Sequence, residues 1–81
     1  MDIHLYALST CPYCRMTKRY LDEHGVAYEL TEVDTLDGDA KQSAIEEVKK
    51  LSGGTSFPVL VADGQVVVGF NKTRIADLLG L

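Results

Sequence analysis

Apolar residues fill almost every position of Ile3-His4-Leu5-Tyr6-Ala7-Leu8. A near-continuous apolar run of this length predicts a strand buried on both faces, as in a parallel sheet. Ser9-Thr10 breaks it. The apolar period then lengthens: Tyr13, Met16, Thr17, Tyr20, Leu21 and His24 recur at helical spacing and predict a helix over 12–24 with these residues on its inner face. Pro12 suits the first helical position, where an N–H would have no partner within the helix, and Gly25 ends it. Ala27-Tyr28-Glu29-Leu30-Thr31-Glu32-Val33 alternates and predicts a second strand. Asp37-Gly38-Asp39 opens a helix over about 39–51, with Ala44, Val48 and Leu51 on one face, and residues 52–56 form a Gly-rich loop. Residues 58–62 and 65–68 are two β-rich runs around Asp63-Gly64, a strong hairpin signal. Asn71 caps a closing helix whose core face is Ile75, Leu78 and Leu79, with Gly80 near its end.

The order β-α-β-α-β-β-α specifies an α/β fold. A right-handed β-α-β unit supplies two parallel strands and the hairpin an antiparallel pair. The expected architecture is a four-stranded mixed sheet flanked by three helices. At 81 residues the chain is expected to form a single domain spanning 1–81. Its 46% apolar content is ordinary for a globular protein, and no apolar run approaches membrane-spanning length. The start Met1-Asp2-Ile3-His4 lacks the charged and apolar regions of a secretory signal, so the expected compartment is the cytoplasm. A net charge of −4 argues against nucleic acid as a partner. The charge is uneven: Arg15, Lys18 and Arg19 follow the first helix start, and acidic residues crowd 22–39. A basic helix favours a thiolate or an anionic thiol substrate nearby; a solvated helix face explains Lys18 and Arg19 equally simply.

The two cysteines, Cys11 and Cys14, lie in Cys11-Pro12-Tyr13-Cys14, between the first strand and the first helix. In a reducing compartment such a pair is catalytic or metal-binding rather than a staple. With Cys11 at the N-cap, its sulfur faces the free amides of the first turn. Pro12 has no N–H, so the donors are Tyr13 and Cys14. These amides and the positive end of the helix favour a thiolate; such sites titrate at roughly 3.5–7.5, against about 8.5 for free cysteine. Cys11 is therefore the expected nucleophile. Cys14, one turn in and less exposed, is the expected resolving thiol. Tyr13 stands beside the exposed sulfur, to stack on a substrate or simply to edge the core. Metal binding is the rival: two thiolates are half of a tetrahedral zinc or iron–sulfur site. The remaining candidates, His4 on the first strand and His24 three turns down the helix, are poorly placed to complete it. A site shared across a dimer stays open.

Over essentially its whole length the chain resembles the glutaredoxins, small proteins of the thioredoxin fold. Cys11-Pro12-Tyr13-Cys14 is identical to the dithiol glutaredoxin motif, Ser56-Phe57-Pro58 stands where the family has Thr-Val-Pro with a cis proline, and Val68-Gly69 ends the hairpin at the family's Gly-Gly turn. The resemblance implies that Pro58 packs beside the cysteines and that the Phe57 backbone receives an extended thiol peptide. It implies a glutathione site formed with Tyr13, Phe57, Pro58, Gly69, Phe70, Asn71, Lys72 and Thr73. The departures are specific. Leu8-Ser9-Thr10 carries no basic residue, Phe70 replaces the second turn glycine, and Lys72 and Thr73 stand where the family holds the γ-glutamyl end. A helix start there still offers amides to a carboxylate. Gly69-Phe70 resembles instead the glutaredoxin-like electron donors of ribonucleotide reductase, which thioredoxin reductase serves and which usually lack Pro-Tyr between the cysteines.

The resemblance thus implies a monomeric thiol–disulfide oxidoreductase with no tightly bound cofactor and no metal. Its expected substrates are protein disulfides and glutathione mixed disulfides. Glutathione as cosubstrate is favoured over a thioredoxin-reductase-type flavoprotein; a dimeric metal- or cluster-binding module is the remaining alternative.

Overall fold

The apolar run at the start of the chain becomes an inner strand of the sheet. In the computed structural model, which describes residues 2–81, the elements are β1 (Ile3–Ala7), α1 (Pro12–Glu23), β2 (Glu29–Glu32), a short 3₁₀ turn (Val33–Thr35), α2 (Gly38–Ser52), β3 (Val59–Ala62), β4 (Gln65–Val68) and α3 (Lys72–Leu79). The sheet order is β2-β1-β3-β4. β1 runs parallel to β2, with Leu5 opposite Leu30, and antiparallel to β3, with Leu5 opposite Leu60. The β3–β4 hairpin turns on Asp63 (φ 49°) and Gly64 (φ 79°). Both lie in the left-handed region, as a two-residue turn matching strand twist requires. This is the expected mixed four-stranded sheet with three helices. One buried cluster holds it together: Leu5, Ala7, Cys14, Leu21, Leu60, Val67 and Ile75.

The facing of α1 differs from expectation. Its buried residues are Cys14, Thr17 and Leu21. Tyr13 and Met16, expected on the inner face, are 61% and 46% exposed, and His24 is exposed at the C-cap. Cys14 is the reason. It behaves as a small apolar core residue, so the buried stripe runs through 14, 17 and 21 and turns Tyr13 and Met16 outward. Thr17 tolerates full burial because its hydroxyl donates to the Tyr13 carbonyl at 2.9 Å. The helix closes as expected: Gly25 (φ 66°) donates to the Asp22 carbonyl at 3.1 Å and Val26 to the Leu21 carbonyl at 3.0 Å. That reciprocal pair satisfies the last-turn carbonyls.

β2 is shorter than its alternating pattern suggests. It is an edge strand, Leu30 is largely exposed, and Val33 is buried in a 3₁₀ turn that the alternation does not foretell. In α2, Val48 is the buried residue, with Ala44 and Leu51 half-buried beside it. Among the described residues no helix is long and apolar enough to cross a membrane.

The rotation of α1 is testable by stability. Leu21→Ala should cost about 2–5 kcal/mol in denaturant unfolding, whereas Met16→Ala should stay within about 0.5 kcal/mol of the parent. Equal losses would place Met16 in the core and overturn the facing described.

Candidate active site

Local chain geometry builds the thiol pair. β1 ends at Ala7, and a turn closed by the Cys11 N–H on the Leu8 carbonyl (3.2 Å) reverses the chain into α1. Cys11 is the N-cap of α1 with extended backbone (φ −83°, ψ 120°) and Pro12 follows at the first helical position. Cys11 Sγ accepts from the Cys14 N–H at 3.4 Å. Both cysteines are free thiols, Cys11 half-buried and Cys14 fully buried.

The two sulfurs differ in electrostatics. Burial raises the Cys11 thiol, but the Cys14 thiol donating to it, the Cys14 and Tyr13 amides, and the nearby Arg15 charge outweigh that; the net effect is below the ordinary cysteine value. Of the two donors expected after Pro12, the Cys14 N–H makes the hydrogen bond to Cys11 Sγ, and the Tyr13 amide adds to the pull on the thiol. For Cys14, burial dominates. The Leu8 N–H, 3.4 Å from its sulfur, pulls the value down, but the group is still pushed up to about 12. Cys14 is thus held as a thiol, donating to a neighbour that favours the thiolate. Of the three basic residues on α1, Lys18 pairs with Glu32 at 3.7 Å and Arg19 with Glu23 at 3.2 Å. The solvated-face explanation holds for Arg19; Lys18 is half-buried and its charge acts on Cys14, while Arg15 is the cation that acts on Cys11.

Phe57-Pro58 is a cis peptide, and the Pro58 side chain is fully buried. Phe57, Cys11 and Phe70 all pack on the buried cluster that contains Cys14. The Gly69 N–H donates to the Pro58 carbonyl at 2.8 Å. Gly69 has φ 83° with open space where a Cβ would stand, so backbone conformation rather than crowding asks for glycine. Phe70 stands edge-on to Tyr20, ring centroids 6.2 Å apart, and Lys72 Nζ lies 5.9 Å over the Phe70 ring. Asn71 Oδ1 accepts from the Arg74 N–H at 3.1 Å, so this side chain caps α3. The structure therefore gathers Cys11, Cys14, Phe57 and Phe70 on one cluster and ties Lys72 to it through Phe70. Tyr13 is exposed on the first turn of α1, and Asn71 and Thr73 are exposed at the start of α3.

Two features escaped the sequence. The Leu8 amide on Cys14 is a backbone contact with no residue signature. Asp34, which sits in an acidic run that reads as a solvated stretch, accepts from both the Ser9 N–H (2.8 Å) and the Ser9 hydroxyl. Those two bonds hold its carboxyl below the usual carboxylate range.

Both histidines are engaged elsewhere. His4 Nε2 meets Thr31 Oγ1 at 2.7 Å, its Nδ1 lies 3.6 Å from Glu29, and His24 Nδ1 donates to the Tyr20 carbonyl at 2.9 Å. Among the described residues no group of three or more His, Cys, Asp or Glu side chains gathers to hold a metal. A surface hollow lined by Asp2, His4, Tyr28, Glu29 and Asp63 lies by the start of β1 and includes none of the site residues.

Comparison with known proteins agrees with this geometry. Residues 3–67 match the sequence profile of the family Glutaredoxin. A glutaredoxin-like 8.6 kDa protein of the rubredoxin operon of Clostridium pasteurianum is 38% identical over 77 residues, 95% of this chain and 96% of that protein. The glutaredoxin of Archaeoglobus fulgidus superposes with a TM-score of 0.93 at 36% identity, over 96% of this chain and 85% of that one. The glutaredoxin-like NrdH-redoxin of Escherichia coli, described by a thioredoxin-like activity profile, superposes with a TM-score of 0.80 at 28% identity, over 96% and 95% of the two chains.

The contrast between the thiols predicts their reactivity. At neutral pH, iodoacetamide should alkylate Cys11 more than about tenfold faster than Cys14, read by peptide mass mapping. Because the Cys11 value is lowered, its alkylation rate should fall only as the pH drops through a midpoint below that of a free thiol. Equal rates at the two cysteines would overturn the assignment.

Proposed function

The chain belongs to the glutaredoxin family, whose members are thiol–disulfide oxidoreductases, and on that premise we propose that it reduces protein disulfides and glutathione mixed disulfides by a dithiol cycle. The observation that carries this is the inequality of the sulfurs: an accessible Cys11 biased toward thiolate, against a buried Cys14 held as a thiol that donates to it.

Cys11 thiolate attacks one sulfur of the substrate disulfide. The S–S bond breaks, the departing thiolate takes a proton, and a mixed disulfide on Cys11 remains. Cys14 then gives up its proton and attacks the Cys11 sulfur. The second substrate sulfur leaves as a thiolate and takes that proton. The substrate gains two electrons and the protein keeps a Cys11–Cys14 disulfide. Burial holds Cys14 as a thiol in the reduced protein, so its proton must be given up for it to attack. Tyr13 and the Phe57 backbone, next to Pro58, form the face against which the thiol substrate lies. Gly69, Phe70, Asn71, Lys72 and Thr73 form the margin that meets glutathione. The protein works as one domain and a monomer in the reducing cytoplasm, with no resident cofactor.

The electron source has two readings. Glutathione fits the thiol-pair chemistry. Phe70 favours the second, a thioredoxin-reductase-type flavoprotein: its ring, seated against Tyr20 with Lys72 above it, occupies the margin that a glycine would leave open, and the likeness to NrdH-redoxin points the same way.

Purified protein and its Cys14→Ser variant are assayed on a glutathionylated peptide and on a disulfide that requires two thiols. Electrons come from glutathione with its reductase or from thioredoxin reductase. The variant should keep deglutathionylation and lose the dithiol reaction. No turnover of the parent with either source would overturn the proposal. Phe70→Gly should raise kcat/KM for glutathione by about threefold or more; an unchanged value would remove Phe70 from the glutathione margin.

A further inference from the structure

Four hydrogen bonds converge on the loop between β1 and α1. The Leu8 carbonyl accepts from the Cys11 N–H at 3.2 Å. The Ser9 N–H, which belongs to the same peptide plane as that carbonyl, donates to Asp34 Oδ1 at 2.8 Å, and the Ser9 hydroxyl donates to Asp34 Oδ2. One peptide earlier, the Leu8 N–H donates to Cys14 Sγ at 3.4 Å. Only the two backbone dihedrals of Leu8 separate the plane that Asp34 grips from the amide that touches the resolving sulfur.

We propose that Asp34 is a positioning residue for the resolving step: by gripping Ser9 at both its amide and its hydroxyl, its carboxylate fixes the Leu8–Ser9 peptide and so keeps the Leu8 N–H on the Cys14 sulfur. This rests on the dithiol cycle proposed above. In that cycle Cys14 must carry negative charge as it attacks the Cys11 sulfur of the mixed disulfide and the substrate thiolate departs. The Leu8 amide is the one hydrogen-bond donor to Cys14 Sγ among the described residues, so it is the group poised to stabilise that charge. Cys11 does not depend on it; its thiolate is supported by Cys14, the first-turn amides and Arg15. The gripped peptide also meets Cys11, through the Cys11 N–H on the Leu8 carbonyl, but that bond reaches only the Cys11 backbone, which α1 holds as well by the Arg15 N–H on the Cys11 carbonyl at 3.1 Å; the grip therefore acts mainly on the second half of the cycle. Lys41 is the cation that also acts on Asp34, and it lies on α2, apart from the thiols in sequence and element.

The test compares two rates in each variant: removal of glutathione from a glutathionylated peptide, which requires Cys11 alone, and reduction of a disulfide that requires both thiols. Asp34→Ala should slow the dithiol reaction about fivefold, the effect of one lost hydrogen bond, and leave deglutathionylation within about twofold. Asp34→Asn keeps an oxygen for the Ser9 amide and should restore the dithiol rate to within about twofold of the parent. Ser9→Ala removes only the hydroxyl contact and should fall between them, which keeps the test available should Asp34→Ala fold poorly. Equal slowing of both reactions by Asp34→Ala would reduce the grip to a general structural contact and overturn the proposal. So would no slowing of either, or an Asp34→Asn variant as slow as Asp34→Ala, which would assign the effect to charge. A parent protein unable to perform the dithiol reaction would instead overturn the cycle itself, and is read from the parent alone.

Discussion

The burial of Cys14 is the constraint on which the site depends. Its side chain sits in the same cluster as Leu5, Leu21 and Leu60, so the packing that stabilises the domain also sets the rotation of α1. With 14, 17 and 21 turned inward, Cys11 falls at the helix N-cap and Tyr13 and Met16 face outward. A core residue and a reactive thiol are here one atom group. Displacing it would both open a cavity beside Leu21 and remove the donor that holds Cys11 toward its thiolate.

Two opposed environments three residues apart follow from that placement. A helix start concentrates unpaired amides and partial positive charge within its first turn, which reach Cys11. One turn deeper the same helix is dry, and desolvation governs Cys14. No extra charged residue is needed to separate the thiols; Arg15 adds to a difference that the backbone and the core already make. An attacking group and a resolving group can then share one short motif.

The legible part of this molecule was local and periodic. The strand over the first apolar run, the Asp63-Gly64 hairpin, Gly25 after α1 and Asn71 before α3 each carry their reason in adjacent residues. The Cys14 amide on Cys11 followed from Pro12 lacking an N–H. The facing of α1 did not follow, because a hydrophobicity pattern weighs Tyr13 and Met16 above a cysteine, and only three-dimensional packing shows Cys14 as the core residue. The Asp34–Ser9 grip joins positions 25 apart, and a carboxylate in an acidic run looks the same whether it meets water or an amide. Long-range polar contacts of this kind have no period to detect.

The margin around the thiols has a different physical origin from the thiols themselves. Cys11 and Cys14 are positioned by one helix and one turn, but Phe57, Gly69 and Phe70 arrive from the start of β3 and the end of β4, joined by the Gly69 amide on the Pro58 carbonyl. Only glycine adopts the Gly69 conformation without strain, so that crossing is fixed. The next position is not: Phe70 has ordinary freedom and fills its place through contact with Tyr20 and Lys72. Residue 70 packs on the cluster that contains Cys14 but approaches it from a different element, and its side chain shapes the margin beside the sulfurs. The thiol pair and the margin beside it thus rest on separate parts of the chain, one on β1 and α1, the other on the segments that flank the β3–β4 hairpin.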